Sequence, residues 1–150
     1  MLLKKTIAAA ALLLVGMAAN ADLEPWADYE ASDEVYMVSA IKVDSNMGDA
    51  YLEGLRETWI KGNEVAKELG QIKDYAIYRS QLPDSGDFNL LLVITLESAE
   101  FLQPSKERYD AFMEEVGKQA ADEMTDFAQE NYPAMREITG SYMMRKIDIK

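Results

Sequence analysis

The chain has 150 residues, 15 of them basic and 27 acidic, for a net charge of −12, with no cysteine and no histidine. That length allows one domain with a substantial core, and the excess of acid repels nucleic acid and anionic lipid, which removes both as expected partners. Without cysteine there are no disulfides. Without histidine the commonest general base, transition-metal ligand and axial haem ligand are all missing, so no metal or cofactor is expected.

Residues 1–21 read as a cleavable export signal. Lys4 and Lys5 give a positive start, Thr6 to Ala18 is dominated by Ala, Leu, Ile and Val, and Ala19-Asn20-Ala21 offers a small-x-small cleavage site. The apolar run is well short of the roughly 20 residues a stable membrane span needs. Twin arginines are absent, which favours the general secretory route, and no cysteine is present to take a lipid. Cleavage after Ala21 predicts a periplasmic or secreted protein that begins at Asp22 and has no membrane anchor. The mature chain keeps 13 basic and 27 acidic residues, a net charge of −14.

Asp22 to Glu34 is acidic, carries Pro25, Trp26 and Tyr29, and shows no sustained period, so it reads as an arm leading into a domain at 35–150. Val35 to Asp44 is β-branched and apolar, and reads as a first strand. Asp44-Ser45-Asn46 offers helix caps, and Met47, Tyr51, Leu55, Trp59, Gly62, Ala66 and Leu69 then recur at helical spacing up to Gly70, a standard stop. Gly62 on that stripe predicts close approach to the sheet. Ile72 to Leu82 reads as a second strand, Pro83 to Asp87 as a turn, and Phe88 to Leu96 as a third strand, together a hairpin. A short turn at Ala99 to Gln103 precedes a long helix from Ser105, with Tyr109, Phe112, Met113, Val116, Ala120, Met124 and Phe127 on one face. Asn131-Tyr132-Pro133 ends it, and Ile138 onward reads as a last strand.

The order is β-α-β-β-α-β, an α+β ferredoxin-like arrangement: a four-stranded antiparallel sheet with two helices on one face. The first and third strands are apolar on both sides, with Tyr36, Val38, Ala40, Leu91 and Val93 opposite the helix side. Strands buried on both faces read this way, and helices cover only one. A second copy of the sheet is the simplest cover, so a homodimer is expected.

On that element order and those two-faced strands, residues 35–150 resemble the dimeric α/β-barrel superfamily, in which two ferredoxin-like subunits pack sheet against sheet. The superfamily includes haem-degrading and cofactor-free oxygenases, small isomerase-like enzymes and many proteins without known activity, so fold does not choose a function. Its haem-degrading members rely on a His ligand together with Asn and Trp. Trp59 and Asn89 are available here, but the His is not.

Other motifs dissolve on inspection. Ser39-Ala40-Ile41-Lys42 has the S-x-x-K spacing of penicillin-recognising enzymes, yet on a strand the two side chains point to opposite faces. Asp44 to Asp49 and Asp84 to Asp87 look oxygen-rich, but Leu55 stands where a calcium loop needs its bidentate Glu. Met143-Met144 are the sole adjacent pair among seven mature methionines, which fits core filling better than copper binding. The acidic run Asp122, Glu123, Asp126 and Glu130 reads as a solvated helix face.

Tyr36, Trp59, Tyr75, Tyr78, Arg79, Asn89 and Tyr109 remain as candidates to line a ligand pocket between helices and sheet. Three functions follow: an exported protein that binds a small apolar or aromatic ligand, a cofactor-independent oxygenase- or isomerase-like enzyme, or an acidic interaction protein without a ligand.

Overall fold

The computed structural model describes residues 22–82 and 86–150. The export signal expected at 1–21 and residues 83–85 of the expected turn lie outside the described residues. Strands β2 (Val35–Val43), β3 (Asp74–Arg79), β4 (Leu90–Leu96) and β5 (Arg136–Met144) form one sheet in the order β3-β4-β2-β5, antiparallel throughout. The helical segments follow β2 and β4, so the arrangement is the expected ferredoxin-like β-α-β-β-α-β.

Sequence boundaries shift where local chemistry intervenes. The first helix runs as α1 (Gly48–Leu55), a wider π-type turn at Arg56–Ile60, and α2 (Lys61–Glu68). Its expected cap by Asp44, Ser45 or Asn46 does not form. Met47 holds the cap position without a side-chain bond, Met47 N donates to Asp44 O at 3.1 Å, and Asn46 takes a left-handed φ of 67°. Gly70 does end the helix, with φ 67°. Gly62 faces Phe112 of the next helix rather than the sheet, because the rod of α1 and α2 is flanked there by that helix.

The long second helix is two: α3 (Lys106–Val116), capped by Ser105 Oγ accepting from Arg108 N at 3.2 Å, and α4 (Lys118–Asn131). Gly117 separates them at φ 80°, a conformation that side chains resist. The arm is not wholly loop either. Its β1 (Tyr29–Ala31) pairs antiparallel with β6 (Ile147–Ile149) in a separate two-stranded ribbon.

Register fixes the faces. Ile41 pairs with Leu90, and Ile77 and Ser39 both pair with Leu92, all on the helix side. There Ile41, Val43, Leu90 and Leu92 meet Tyr51, Leu55 and Tyr132 in the core, with Leu52, Trp59, Ile77, Ala128 and Met135 packed around them. A bulge between Ala40 and Ile41 lets β5 carry the extra residue Thr139, whose hydroxyl donates to Ala40 O at 3.3 Å. The opposite face presents Tyr36, Val38, Ala40, Ala76, Tyr78, Leu91, Val93, Tyr142 and Met144, and no helix among the described residues covers it.

Candidate functional site

Two hollows mark the surface. The first is a shallow groove of about 390 Å³ on the open sheet face, lined by Tyr36, Val38, Tyr78, Leu91, Val93 and Met144, with Arg145 and Lys146 at its margin. Strand alternation alone creates it, because β2, β3 and β4 each send apolar side chains to this side. The strand β5 supplies partial cover. Gly140 has no side chain, and the Tyr142 ring lies where its Cβ would be, within 2.8 Å of that position. The ring thereby shields Ala40, the cross-strand partner of Gly140. At the margin Tyr36 donates to Glu34 at 2.6 Å, and Lys73 binds the same carboxylate. The bond from Lys73, then that from Tyr36, holds the Glu34 carboxyl below the usual carboxylate range. Donating to that carboxylate pushes the Tyr36 hydroxyl above the usual phenol range.

The second hollow is larger and polar. It measures about 840 Å³ and opens at the end of the sheet where β2 and β3 finish and β4 begins, lined by Lys42, Asp44, Ser45, Asp49, Arg79 and Asn89 among others. Arg79 reaches from β3 to the start of α1, where its Nη1 stands 3.5 Å from Asp49 Oδ1. Gly48 makes room for it: a Cβ there would lie 2.8 Å from Arg79 Nη2. Lys42 Nζ donates to Gly86 O at 2.6 Å across the mouth. Asn89 is committed to the fold, since its Oδ1 accepts from Val43 N and its Nδ2 donates to Val43 O, both at 2.8 Å. It extends the β2–β4 ladder with a side chain. The cleft thus sets two cations, the carboxylates of Asp44 and Asp49 and several neutral hydrogen-bonding groups around solvent, a lining that suits a small polar solute rather than an apolar one.

Between helices and sheet, where a pocket was expected, core side chains fill the space. Tyr51 and Tyr132 meet edge to face at 5.1 Å, and Phe127 meets Tyr132 at 6.0 Å. Thr58, on the π-type turn, donates to Gly54 O at 2.9 Å and shares a hydrogen bond with the Tyr132 hydroxyl. Arg136 lies 5.4 Å above the Tyr132 ring and 5.9 Å above that of Tyr51, a cation held by two aromatic faces. Its Nε is buried without a hydrogen-bond partner among the described residues. Burial pushes the Tyr51 phenol up against the opposing pull of Arg136, and burial likewise raises Tyr132 against its bond to Thr58. Tyr51, Thr58 and Tyr132 are buried, which makes them architecture.

The seven candidates from the sequence do not converge. Tyr36 and Tyr78 line the apolar groove, and Arg79 and Asn89 line the polar cleft. Trp59 and Tyr75 stack edge to face at 5.4 Å on the helix side, and burial raises the Tyr75 phenol. Tyr109 is exposed on α3. Sequence reasoning missed Lys42 and the Asp44–Asp49 loop as cleft walls. The signal was available in the topology, because antiparallel β2, β3 and β4 must bring the loops after β2 and β3 to one end of the sheet. Among the described residues no three acidic side chains gather as a metal site, and no helix is long and apolar enough to cross a membrane.

No protein-family model matches the sequence, and no curated protein matches it. Solved structures similar to the chain include proteins described as ferredoxin-like. The protein SO0527 from Shewanella oneidensis is 14% identical over 82% of this chain and 100% of its own, with a TM-score of 0.48. HapK from Hahella chejuensis is 12% identical over 75% of this chain and 91% of its own, at 0.45. A dimeric ferredoxin-like protein of unknown function from Bacteroides fragilis is 8% identical over 80% of this chain and 99% of its own, at 0.41. The likeness is one of fold alone.

Proposed function

We propose that this chain is an exported binding protein, built as a homodimer through the open faces of two sheets, with one small polar ligand in the Arg79 cleft of each copy. The contrast between the two hollows supports this reading. The groove of about 390 Å³ is shallow and apolar, a surface that another protein face fits, whereas the cleft of about 840 Å³ is polar and opens at the sheet end. Contiguous apolar patches on soluble proteins mark interaction sites, and a two-fold pair is the commonest closed assembly. Joining the sheets leaves the cleft accessible. The ligand class departs from the apolar or aromatic molecule expected from sequence, because Lys42, Arg79 and the loop polar groups line the cleft.

Native mass spectrometry of the protein purified from its own periplasm tests all three parts together. The expected species is a dimer of chains beginning at Asp22, each retaining a small molecule that the Arg79→Ala variant loses. Recovery from the membrane fraction with Met1 in place would end the export reading. A bare dimer, unchanged by Arg79→Ala, would remove the ligand and leave the assembly.

A further inference from the structure

The ribbon of β1 and β6 is unfinished on one side. Its register sets Tyr29 opposite Ile149 and Ala31 opposite Ile147 on one face, with Glu30 opposite Asp148 on the other. The charged face is complete within the chain. Lys150 lies 3.1 Å from Glu30, and Lys146 lies 2.5 Å from Asp148, so two facing acids are each neutralised by a neighbouring lysine. The apolar face has no such complement: Ile149 keeps 74% of its surface and Ile147 keeps 52%. Beside it Trp26 keeps 80%, on a left-handed φ of 65° that a bulky residue adopts only under constraint.

Strands of three residues do not hold a two-stranded ribbon together in water on their own. The ribbon therefore needs a third surface. Two features point to a second copy as that surface. Continuity is one: Met144, Arg145 and Lys146 run directly from the open-face groove into β6 and line that groove. Charge is the other. Lys146 and Lys150 are paired within the chain, which leaves Arg145 as the cation of residues 145–150 without a carboxylate partner among the described residues, and an acidic copy of the chain offers one.

We infer that the β1–β6 ribbon is a clasp that lays Tyr29, Ile147 and Ile149 on the margin of the open sheet face of a second copy. The inference rests on the homodimer proposed above and deepens it. The flat sheet contact brings the copies together, and the two clasps, one from each chain, slow their separation.

Sedimentation of the exported protein over a concentration series tests the clasp with Ile149→Asp, Ile147→Asp/Ile149→Asp and Val93→Asp. Ile149 is too exposed for its replacement to unfold a single chain, and circular dichroism checks that each variant keeps its fold. The expected result is a dimer dissociation constant raised at least ten-fold by the double ribbon variant and less by Ile149→Asp. A ribbon variant that dimerises as tightly as the parent, while Val93→Asp does not, overturns the clasp and spares the sheet-to-sheet dimer. A parent protein that stays monomeric throughout overturns both. Co-sedimentation with phosphatidylglycerol vesicles is the second arm. Binding that depends on Ile147 and Ile149, with dimerisation unaffected, assigns the apolar face to lipid and likewise overturns the clasp.

Discussion

On the helix side of the sheet, Ile41, Val43, Leu90 and Leu92 are sealed by Tyr51, Leu55 and Tyr132. On the opposite side of the same sheet, Tyr78 of β3 keeps 60% of its surface and Tyr142 of β5 keeps 55%. The two faces have similar apolar content but different cover. The first is closed by side chains from other elements, and interdigitation makes each of its positions sensitive to a single methyl group. The second is closed from within the sheet, by Tyr142 folded over Gly140, and only in part. A face finished in the first way stabilises the chain, and one left as the second is available for assembly. The same distinction separates the two hollows, since the groove belongs to the open face and the cleft to neither.

Val93→Asp is the severest test of that distinction. Val93 pairs with Val38 and Ala76 at the middle of the open face, where a carboxylate in a sheet-to-sheet contact would lie desolvated and unpaired. The dimer dissociation constant should rise at least about 100-fold, about 2.8 kcal/mol, while the helix face and the circular dichroism of the monomer stay intact. Unchanged sedimentation would mean that the open face is not the contact.

Gly54→Ala probes the sealed face. Its Cβ would come within 3.0 Å of both Phe127 and Tyr132, and Tyr132 is fixed in the core. Overpacking of this kind costs about 1–3 kcal/mol, and the loss should appear in urea unfolding of the monomeric Val93→Asp background as fully as in the parent. An effect confined to the dimer would place Gly54 at the interface and reverse the assignment of faces.

The sequence made one half of this contrast legible and blurred the other. Period-two alternation in Val35–Val43 and Leu90–Leu96 announced a sheet apolar on both sides, because strand side chains alternate by geometry. Helical spacing found the rod from Gly48 to Glu68, though not its π-type turn. The Thr58 hydroxyl bonded to Gly54 O and the approach of Tyr132 arise from tertiary contact that spacing does not encode. Gly117 stood in a continuous apolar stripe, so its left-handed φ was invisible until the chain folded. The ribbon was missed because β1 and β6 are three residues each and lie at opposite ends of the chain. The candidate site suffered similarly: Tyr36 and Tyr78 share a groove and Arg79 and Asn89 share a cleft, but residue type alone put all seven in one pocket. Asn89 looked like a ligand-binding amide and is a backbone clamp on Val43.

Titration separates the faces by sign. Burial raises Tyr51 and Tyr132 on the sealed side, so their stabilisation is complete below the unfolded phenol value of about 10 and is lost as pH rises through the folded values. Glu34, at the margin of the open face, is held low by Lys73 and Tyr36. Its contribution is present above the unfolded value of about 4.3 and is lost as pH falls through the folded one. The double variant Tyr51→Phe/Tyr132→Phe should therefore flatten the alkaline limb of a stability–pH curve without moving the acid limb. Glu34→Gln should flatten the acid limb and, by releasing Tyr36 and Lys73, which it raises, part of the alkaline limb as well. An acid limb moved by the tyrosine double variant would mean that the two faces are coupled more tightly than their separate contacts imply.

The smallest expected effect is the most selective. Gly140 has no left-handed requirement, so alanine fits its backbone, and the lost freedom of the unfolded chain stabilises by about 0.4–1 kcal/mol. Against this, the new Cβ would meet the Tyr142 ring and hydroxyl within 2.8 Å, and the ring must leave. Tyr142 faces solvent in the single chain, so it swings out at little cost, uncovering Ala40 as it goes. The two contributions nearly cancel, and monomer stability measured in the Val93→Asp background should change by less than about 0.5 kcal/mol. In the dimer the displaced ring stands where the second sheet is to pack, and the dissociation constant should rise several-fold. If Gly140→Ala instead destabilises the monomer strongly, Tyr142 is part of a sealed core on this side too, and the open face closes without a partner.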